Sequence, residues 1–291
     1  MTDDRRERLR RHVDVLAEII GERHTGRPAN LDAARRYIAD QLVEMGYDVH
    51  RQAFPVSGRE GVNLSVTLSS QKPRRSVLII GAHYDTVRGT PGADGNASAV
   101  AMLLEIARHL AGKTPARDVE LVFYDCEEPP HFATGDMGSQ DHARRLRRSG
   151  RKVFGMICLE SVGYFVKNLS PQPLPWPLNK IVRWLGGRNI IIVSDLASFR
   201  FGTRFVWSFL RSGRFPFLPA ALPRRISEIG LSDHRSYWEQ GYPALMVTNT
   251  AFLRNPNYHR SSDRLATLDL ERMTHLCEQL CKAVQKFAGA R

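Results

Sequence analysis

The chain lacks any uninterrupted apolar run of about 18 residues, the length that crosses a bilayer, so no membrane span or stable insertion is expected. Its opening, MTDDRRERLRRHVDVLAEII, is charged and then amphipathic. It lacks the apolar core and small-residue cleavage site of a secretory leader. Cysteine is scarce, with only Cys126, Cys158, Cys277 and Cys281 in 291 residues. Cys277 and Cys281 stand four apart in an apparent helix, a poor geometry for a bridge. Free thiols and a cytoplasmic location are therefore expected. Acidic residues are in deficit, 30 against 42 Lys and Arg, for a formal charge of +12. Such a surplus raises the question of nucleic acid. However, no nucleic-acid motif is present, and the arginines are scattered through RRERLRR, KPRR, ARRLRRSGR and LPRR. No nucleic-acid partner is expected. Internal repeats and low-complexity segments are also missing.

What is present is an α/β rhythm. With 42% hydrophobic residues, the chain can bury a full core as one domain over 1–291. Residues 7–20 and 31–46 have helical periodicity, with Asn30 as the cap of the second. Residues 47–54 and 61–70 alternate like half-buried strands. The runs at 75–83, 118–126 and 152–160 are continuous and apolar, as central strands are. Later strands are expected at 187–194 and 242–249. Helices are expected at 95–112, 137–148, 197–212 and 269–289. The fold class that follows is α/β, with a central mixed, mostly parallel sheet covered by helices on both faces. Ligands of such sheets bind beyond the carboxyl ends of the strands.

Metal-binding residue types collect at those ends. His83 closes one strand in GAH83YD85, and Glu160 closes another in ICLE160S. Glu127 and Glu128 follow a third in YDCEEPP. Asp94, in PGAD94GNAS, opens a helix, and His259 lies in NYH259RSSD. A zinc pair needs about five protein ligands plus a free carboxylate to activate water, and this set supplies both. Each residue alone has an ordinary explanation. A lone histidine is usually structural, Asp94 could be a helix cap, and paired glutamates are usually a solvated loop. A glutamate ending an apolar strand is harder to explain without a cation. Asp85 stands where a carboxylate orients a ligating imidazole.

The segments GAHYDTV, PGADGNASAVAMLLEIAR, FYDCEEPPHFATGDMGS, ICLESVGYF and LSDHRSYWEQGYPALMVTNTAFLRNPNYHRSSD resemble the co-catalytic zinc aminopeptidases. That family includes bacterial leucyl aminopeptidases, glutamate carboxypeptidase and glutaminyl cyclases. The resemblance runs from about residue 75 to 288. It implies that His83 and Glu160 hold one zinc, that Glu128 and His259 hold the other, and that Asp94 bridges both across a cis Asp94–Gly95 peptide. It further implies Glu127 as general base, Asp85 as the partner of His83 and a peptide as substrate. Two departures stand out: Glu160 and Asn249 occupy positions where relatives carry Asp. Cys126 beside the base is unusual for the family and is read as structural.

By this resemblance the chain is a zinc exopeptidase, foremost an aminopeptidase. Tyr258 is the expected donor to the tetrahedral oxyanion, and Arg254 a partner for a substrate carboxylate or carbonyl. A single-zinc cyclising acyltransferase like glutaminyl cyclase ranks below, because those enzymes generally lose the first histidine and His83 is present. A non-catalytic binding domain is third. The stretch 164–226 is dense in aromatics, prolines and arginines. It can be a pocket wall or lid, with Phe201, Phe205, Trp207 and Phe209 choosing apolar side chains. It can equally be core, or a surface that touches membranes.

Overall fold

Val77–His83, here β3, is buried at every residue, and alternation sends its side chains to two different cores. Leu78, Ile80 and Ala82 face one, and Val77 and Ile79 face the other. A strand buried on both faces needs helices on both, and the computed structural model shows them. It describes residues 2–71, 76–166 and 187–291. The strands are β1 (His50–Val56), β2 (Arg59–Leu68), β3, β4 (Val119–Tyr124), β5 (Val153–Glu160), β6 (Ile190–Asp195), β7 (Phe217–Leu222) and β8 (Ala244–Thr248). They form one sheet in the order β1-β2-β4-β3-β5-β8-β6-β7. The pairs β4/β3, β3/β5, β5/β8 and β6/β7 are parallel, whereas β1/β2, β2/β4 and β8/β6 are antiparallel. The mixed, mostly parallel α/β sheet expected from the sequence is what forms.

The helices are α1 (Thr2–Val13), α2 (Pro28–Glu44), α3 (Ala99–Leu110), α4 (Gly138–Arg148), α5 (Phe199–Leu210), α6 (His234–Glu239) and α7 (Leu270–Ala288). The first face of the sheet is covered by α1, α2, α3, α5 and α7, and the second by α4 and α6. A wider π-type turn, Asp14–Ile20, continues α1. Asn30 does not cap α2. The helix starts earlier, with Pro28 in its first turn, where a missing N–H costs nothing. The Asn30 amide instead donates to the carbonyls of Ile20 (2.8 Å) and Glu22 (2.9 Å). At the other end of the chain, Asp269 accepts from Arg272 N and Gly289 closes α7 at φ 63°.

The expected aromatic pocket wall is not formed by α5. Its helical spacing turns Phe201, Phe205 and Phe209 inward, and Phe201 and Phe205 meet Phe287 of α7 at ring distances of 5.6 and 5.4 Å. The Phe201 ring lies over Gly155, where a Cβ would come within 2.3 Å of it. Trp207 points to solvent at 61% exposure. Residues 187–226 supply β6, α5 and β7, parts of the sheet and its cover rather than a lid. The rest of the proposed insertion, 167–186, lies outside the described residues. Phe205→Ala is accordingly expected to destabilise the fold by about 3–5 kcal/mol, the cost of a large core cavity. Denaturant unfolding measures this. The ranking of substrates should not change.

His12 on α1 is buried, with Nδ1 2.7 Å from the Tyr37 hydroxyl. Burial pushes its pKa down to about 4, while Glu105 opposes and Arg108 and Arg8 assist. The unfolded imidazole titrates at about 6.5, so between these values the unfolded chain binds more protons. The contribution is complete above the unfolded pKa and is lost as pH falls toward the folded one. At pH 5 it amounts to a loss of about 2 kcal/mol. His12→Gln should show an acid-induced loss of stability smaller by that amount, measured by urea unfolding at neutral and mildly acidic pH.

Candidate metal centre

The four strands β4, β3, β5 and β8 are parallel neighbours, so their carboxyl ends lie side by side. His83 is the last residue of β3 and Glu160 the last of β5. Glu127 and Glu128 sit in the turn after β4, and Asn249 follows β8. Several residues at this edge adopt a left-handed backbone without being glycine: Cys126 (φ 57°), Ser161 (48°), Thr250 (81°) and His259 (57°). Such strain concentrates where function over-determines the backbone.

His83 Nε2 lies 3.2 Å from Glu160 Oε2 and 3.7 Å from Glu127 Oε2. Ligand atoms of His83, Glu127 and Glu128 fall within 4.8 Å of one another. His259 Nε2 lies 3.1 Å from Glu128 Oε1. Asp85 ties the group together from behind. Its Oδ1 is 3.3 Å from His83 Nδ1, and its carboxylate accepts from the backbone N–H of Glu127 (3.1 Å) and Glu128 (3.0 Å). Glu160 accepts from the Ser161 and Ser232 hydroxyls, each at 2.9 Å. Thus His83, Asp85, Glu127, Glu128, Glu160 and His259 come together at one edge.

Asp94 departs from the expectation. Its carboxylate accepts from the N–H of Gly163 (2.8 Å) and Tyr164 (3.0 Å) and from the amides of Asn249 (2.9 Å) and Asn255 (3.0 Å). These donors occupy both oxygens, so the carboxylate is turned to the loops after β5 and β8. The cis peptide is also one residue later than expected, between Gly95 and Asn96. Asp263 holds the turn by accepting from the N–H of Asp94 (3.0 Å) and Gly95 (3.1 Å). Asn249 suits this arrangement because an amide donates where an aspartate could only repel.

Tyr258 stacks on His259, with centroids 3.7 Å apart and rings at 18°. Burial, followed by the charges of Glu128 and Glu160, pushes its phenol upward, so it stays a donor. Its hydroxyl has no hydrogen-bond partner among the described residues. Arg254 is not free for a substrate: it is buried, and its guanidinium donates to the carbonyl and side chain of Asn189. Cys126 packs with Phe54 and Val56, as a structural cysteine does. All four cysteines are free and buried.

One residue of the site escaped the sequence reading. Asp233, just before α6, is fully buried and neither carboxylate oxygen has a hydrogen-bond partner. Burial first, then the neighbouring Glu160 and Asp85, push its pKa up to about 7 against the pull of His83 and of the nearby Ser139 hydroxyl. The one available signal was its place beside Ser232 in LSDH, and its burial depends on the packing of α6 on β5 and β8.

The cluster therefore carries more acid than base. Burial pushes Glu127 well above the carboxylate range, and Glu128 raises it further while His83 opposes. Burial also raises Glu128, against the pull of His259. For His83 burial works against the charged ring, but Glu127 and Glu160 outweigh it and raise the pKa. Asp85, Glu127, Glu128, Glu160 and Asp233 gather around the imidazoles of His83 and His259. Buried carboxylates in such excess call for cations. Imidazole nitrogen and carboxylate oxygen at strand ends are the donor set of a zinc-type ion.

Comparison with known proteins agrees with the geometry. The pattern of peptidase family M28 matches residues 63–183. The uncharacterized protein YfbL of Escherichia coli is 34% identical over 94% of this chain and 85% of its own length. Leucine aminopeptidase 1 of Trichophyton rubrum is 27% identical over 78% of this chain, which spans 58% of that protein. Among solved structures, the zinc aminopeptidase BSAP of Bacillus subtilis superposes with a TM-score of 0.73 at 13% identity, over 97% of this chain and 94% of that one. The glutaminyl cyclase of Porphyromonas gingivalis gives 0.72 at 18% identity, over 98% of both. These two likenesses speak for the fold alone. The class is that of the peptidase hydrolases, and the chain belongs to peptidase family M28.

Proposed function

We propose that the protein is a zinc-dependent exopeptidase, an aminopeptidase that removes N-terminal residues from peptides. The observation that carries this reading is the convergence of His83, Glu127 and Glu128 within 4.8 Å, in a chain of family M28. His83 and Glu160 would hold one ion, and Glu128 and His259 the second. Asp94 would join them as the bridge only by exchanging the Asn249 and Asn255 donors for the cations. When bound, zinc supplies Lewis acidity at the scissile carbonyl and lowers the pKa of water.

The chain's own groups do the rest. Glu127, which lies beside the ligand set without being assigned to either ion, takes the proton of the attacking water and returns it to the leaving amine. Tyr258, kept protonated, donates to the developing oxyanion. Asp85 fixes the imidazole of His83 through Nδ1. The surplus of carboxylates favours a cationic α-amino group at the substrate end. Free, buried thiols are compatible with a cytoplasmic site of action.

A second reading is cyclisation of N-terminal glutamine, since the Porphyromonas gingivalis glutaminyl cyclase shares this fold. A panel of aminoacyl chromogenic substrates, assayed with and without chelator, separates the readings. Turnover that chelation abolishes and zinc restores, with about two ions per chain, supports the peptidase. Cyclisation with about one ion supports the alternative. A chain without zinc or turnover would sink both.

A further inference from the structure

The outer face of α5 is built unlike that of an ordinary solvent-facing helix. Leu196, just before it, and Phe199, Trp207 and Leu210 on it are exposed by 58, 58, 61 and 49%. Phe199, Trp207 and Leu210 are separated by eight and three residues, which places these three on one side of the helix, and Leu196 adjoins its start. Interleaved in the stripe and just beyond it are Arg200, Arg204, Arg211 and Arg214, also exposed. None of the four has an ion pair among the described residues. Residues 196–227 contain no Asp or Glu at all. The inner face is already committed, with Phe201, Phe205 and Phe209 locked on α7 and the sheet. The helix therefore cannot roll to hide its outer side chains.

We propose that this face is a docking surface for an anionic phospholipid bilayer, on which the protein sits peripherally. An isolated exposed leucine needs no explanation, but a stripe of Trp, Phe and Leu does. The apolar groups enter the boundary between headgroups and acyl chains, and the aromatic ring of Trp207 prefers that depth. The arginines lay their stems along it and keep their guanidinium groups at the phosphates. The charge is of one sign, complementary to an anionic leaflet, and the formal +12 of the whole chain draws it to the same surface. Exposed Phe and Leu are poorly suited to nucleic acid, and a convex helix face fits a flat bilayer better than a groove. Docking here needs no spanning segment. No helix among the described residues is long and apolar enough to be one.

The test is sedimentation of the full chain with vesicles of phosphatidylcholine alone and of phosphatidylcholine mixed with phosphatidylglycerol. Binding is expected only to the mixed vesicles, with release at high salt. Trp207→Ser and the pair Arg204→Glu and Arg211→Glu should each weaken partitioning by about tenfold or more. Turnover in solution and the far-ultraviolet circular dichroism should be unchanged. Should Trp207→Ser fail to fold, the arginine pair carries the comparison, since both positions are exposed. Equal binding to neutral vesicles, no binding, or mixed-vesicle binding that survives both variants would overturn the proposal. So would a Trp207-dependent dimer, or salt-sensitive binding to RNA, in place of vesicle binding.

Discussion

Glu127→Gln is expected to lower kcat by about 10²–10⁴-fold while zinc content stays at the wild-type level. The substitution keeps the shape of the side chain and removes its capacity to take a proton. Glu127 is buried beside His83, its Oε2 lying 3.7 Å from Nε2, and burial and Glu128 raise its pKa. Its carboxylate makes no hydrogen bond among the described residues and is left free to receive a proton. Glu128 differs in having His259 as a partner at 3.1 Å, the pairing expected of two groups sharing one ion. The assignment is open to a direct check, because Glu127 also falls within the 4.8 Å group and could itself be a ligand. Kinetics and metal analysis on the same preparation decide. Loss of zinc along with activity would make Glu127 a ligand, and near-native turnover would remove it from the proton path.

Much of this site was legible because strand ends are legible. VLIIGAH and VFGMICLE are apolar until a final histidine or glutamate, and the parallel pairing of β3 with β5 puts those two ends together. The ring of His83 then meets Glu160 at 3.2 Å without further design. What stayed hidden depends on partners distant in the chain. PGADGNAS contains no sign that Asn249 and Asn255, more than 150 residues on, take the Asp94 carboxylate. Asp233 looks like any loop acid until α6 packs and strands it without a donor. The aromatics of α5 obey their helical period, but the period does not say whether the buried face meets a pocket or Phe287. β7 was missed because Pro219 and the mixed run FLPAAL weaken its strand pattern. Proline is tolerated there because β7 is the edge strand of the sheet.

Asp85→Asn is expected to weaken zinc binding by about 10–100-fold, although Asp85 itself would touch no metal. One carboxylate does two jobs here. Oδ1 lies 3.3 Å from His83 Nδ1, and the same group accepts from the backbone of Glu127 at 3.1 Å and of Glu128 at 3.0 Å. Although burial works against its charge, the bond from His83 and those from the two backbone amides hold its pKa below the usual value, so it is ionised at neutral pH. With the Nδ1 proton held between the backbone carbonyl of Asp85 (3.2 Å) and its carboxylate, the lone pair of Nε2 faces Glu160 and Glu127, where the proposed cation would lie. An asparagine cannot repeat this, because it has one acceptor oxygen and its NH2 would confront a donor already aimed at it. The histidine loses its negative partner, and the Glu127–Glu128 turn loses one of its two anchors. Titration with a competing chelator reads the affinity, and turnover should recover substantially when zinc is supplied in excess. That recovery separates orientation of a ligand from collapse of the fold, which excess zinc would not repair. An affinity unchanged by the substitution would mean that the close approach of Asp85 to His83 has no part in holding the metal.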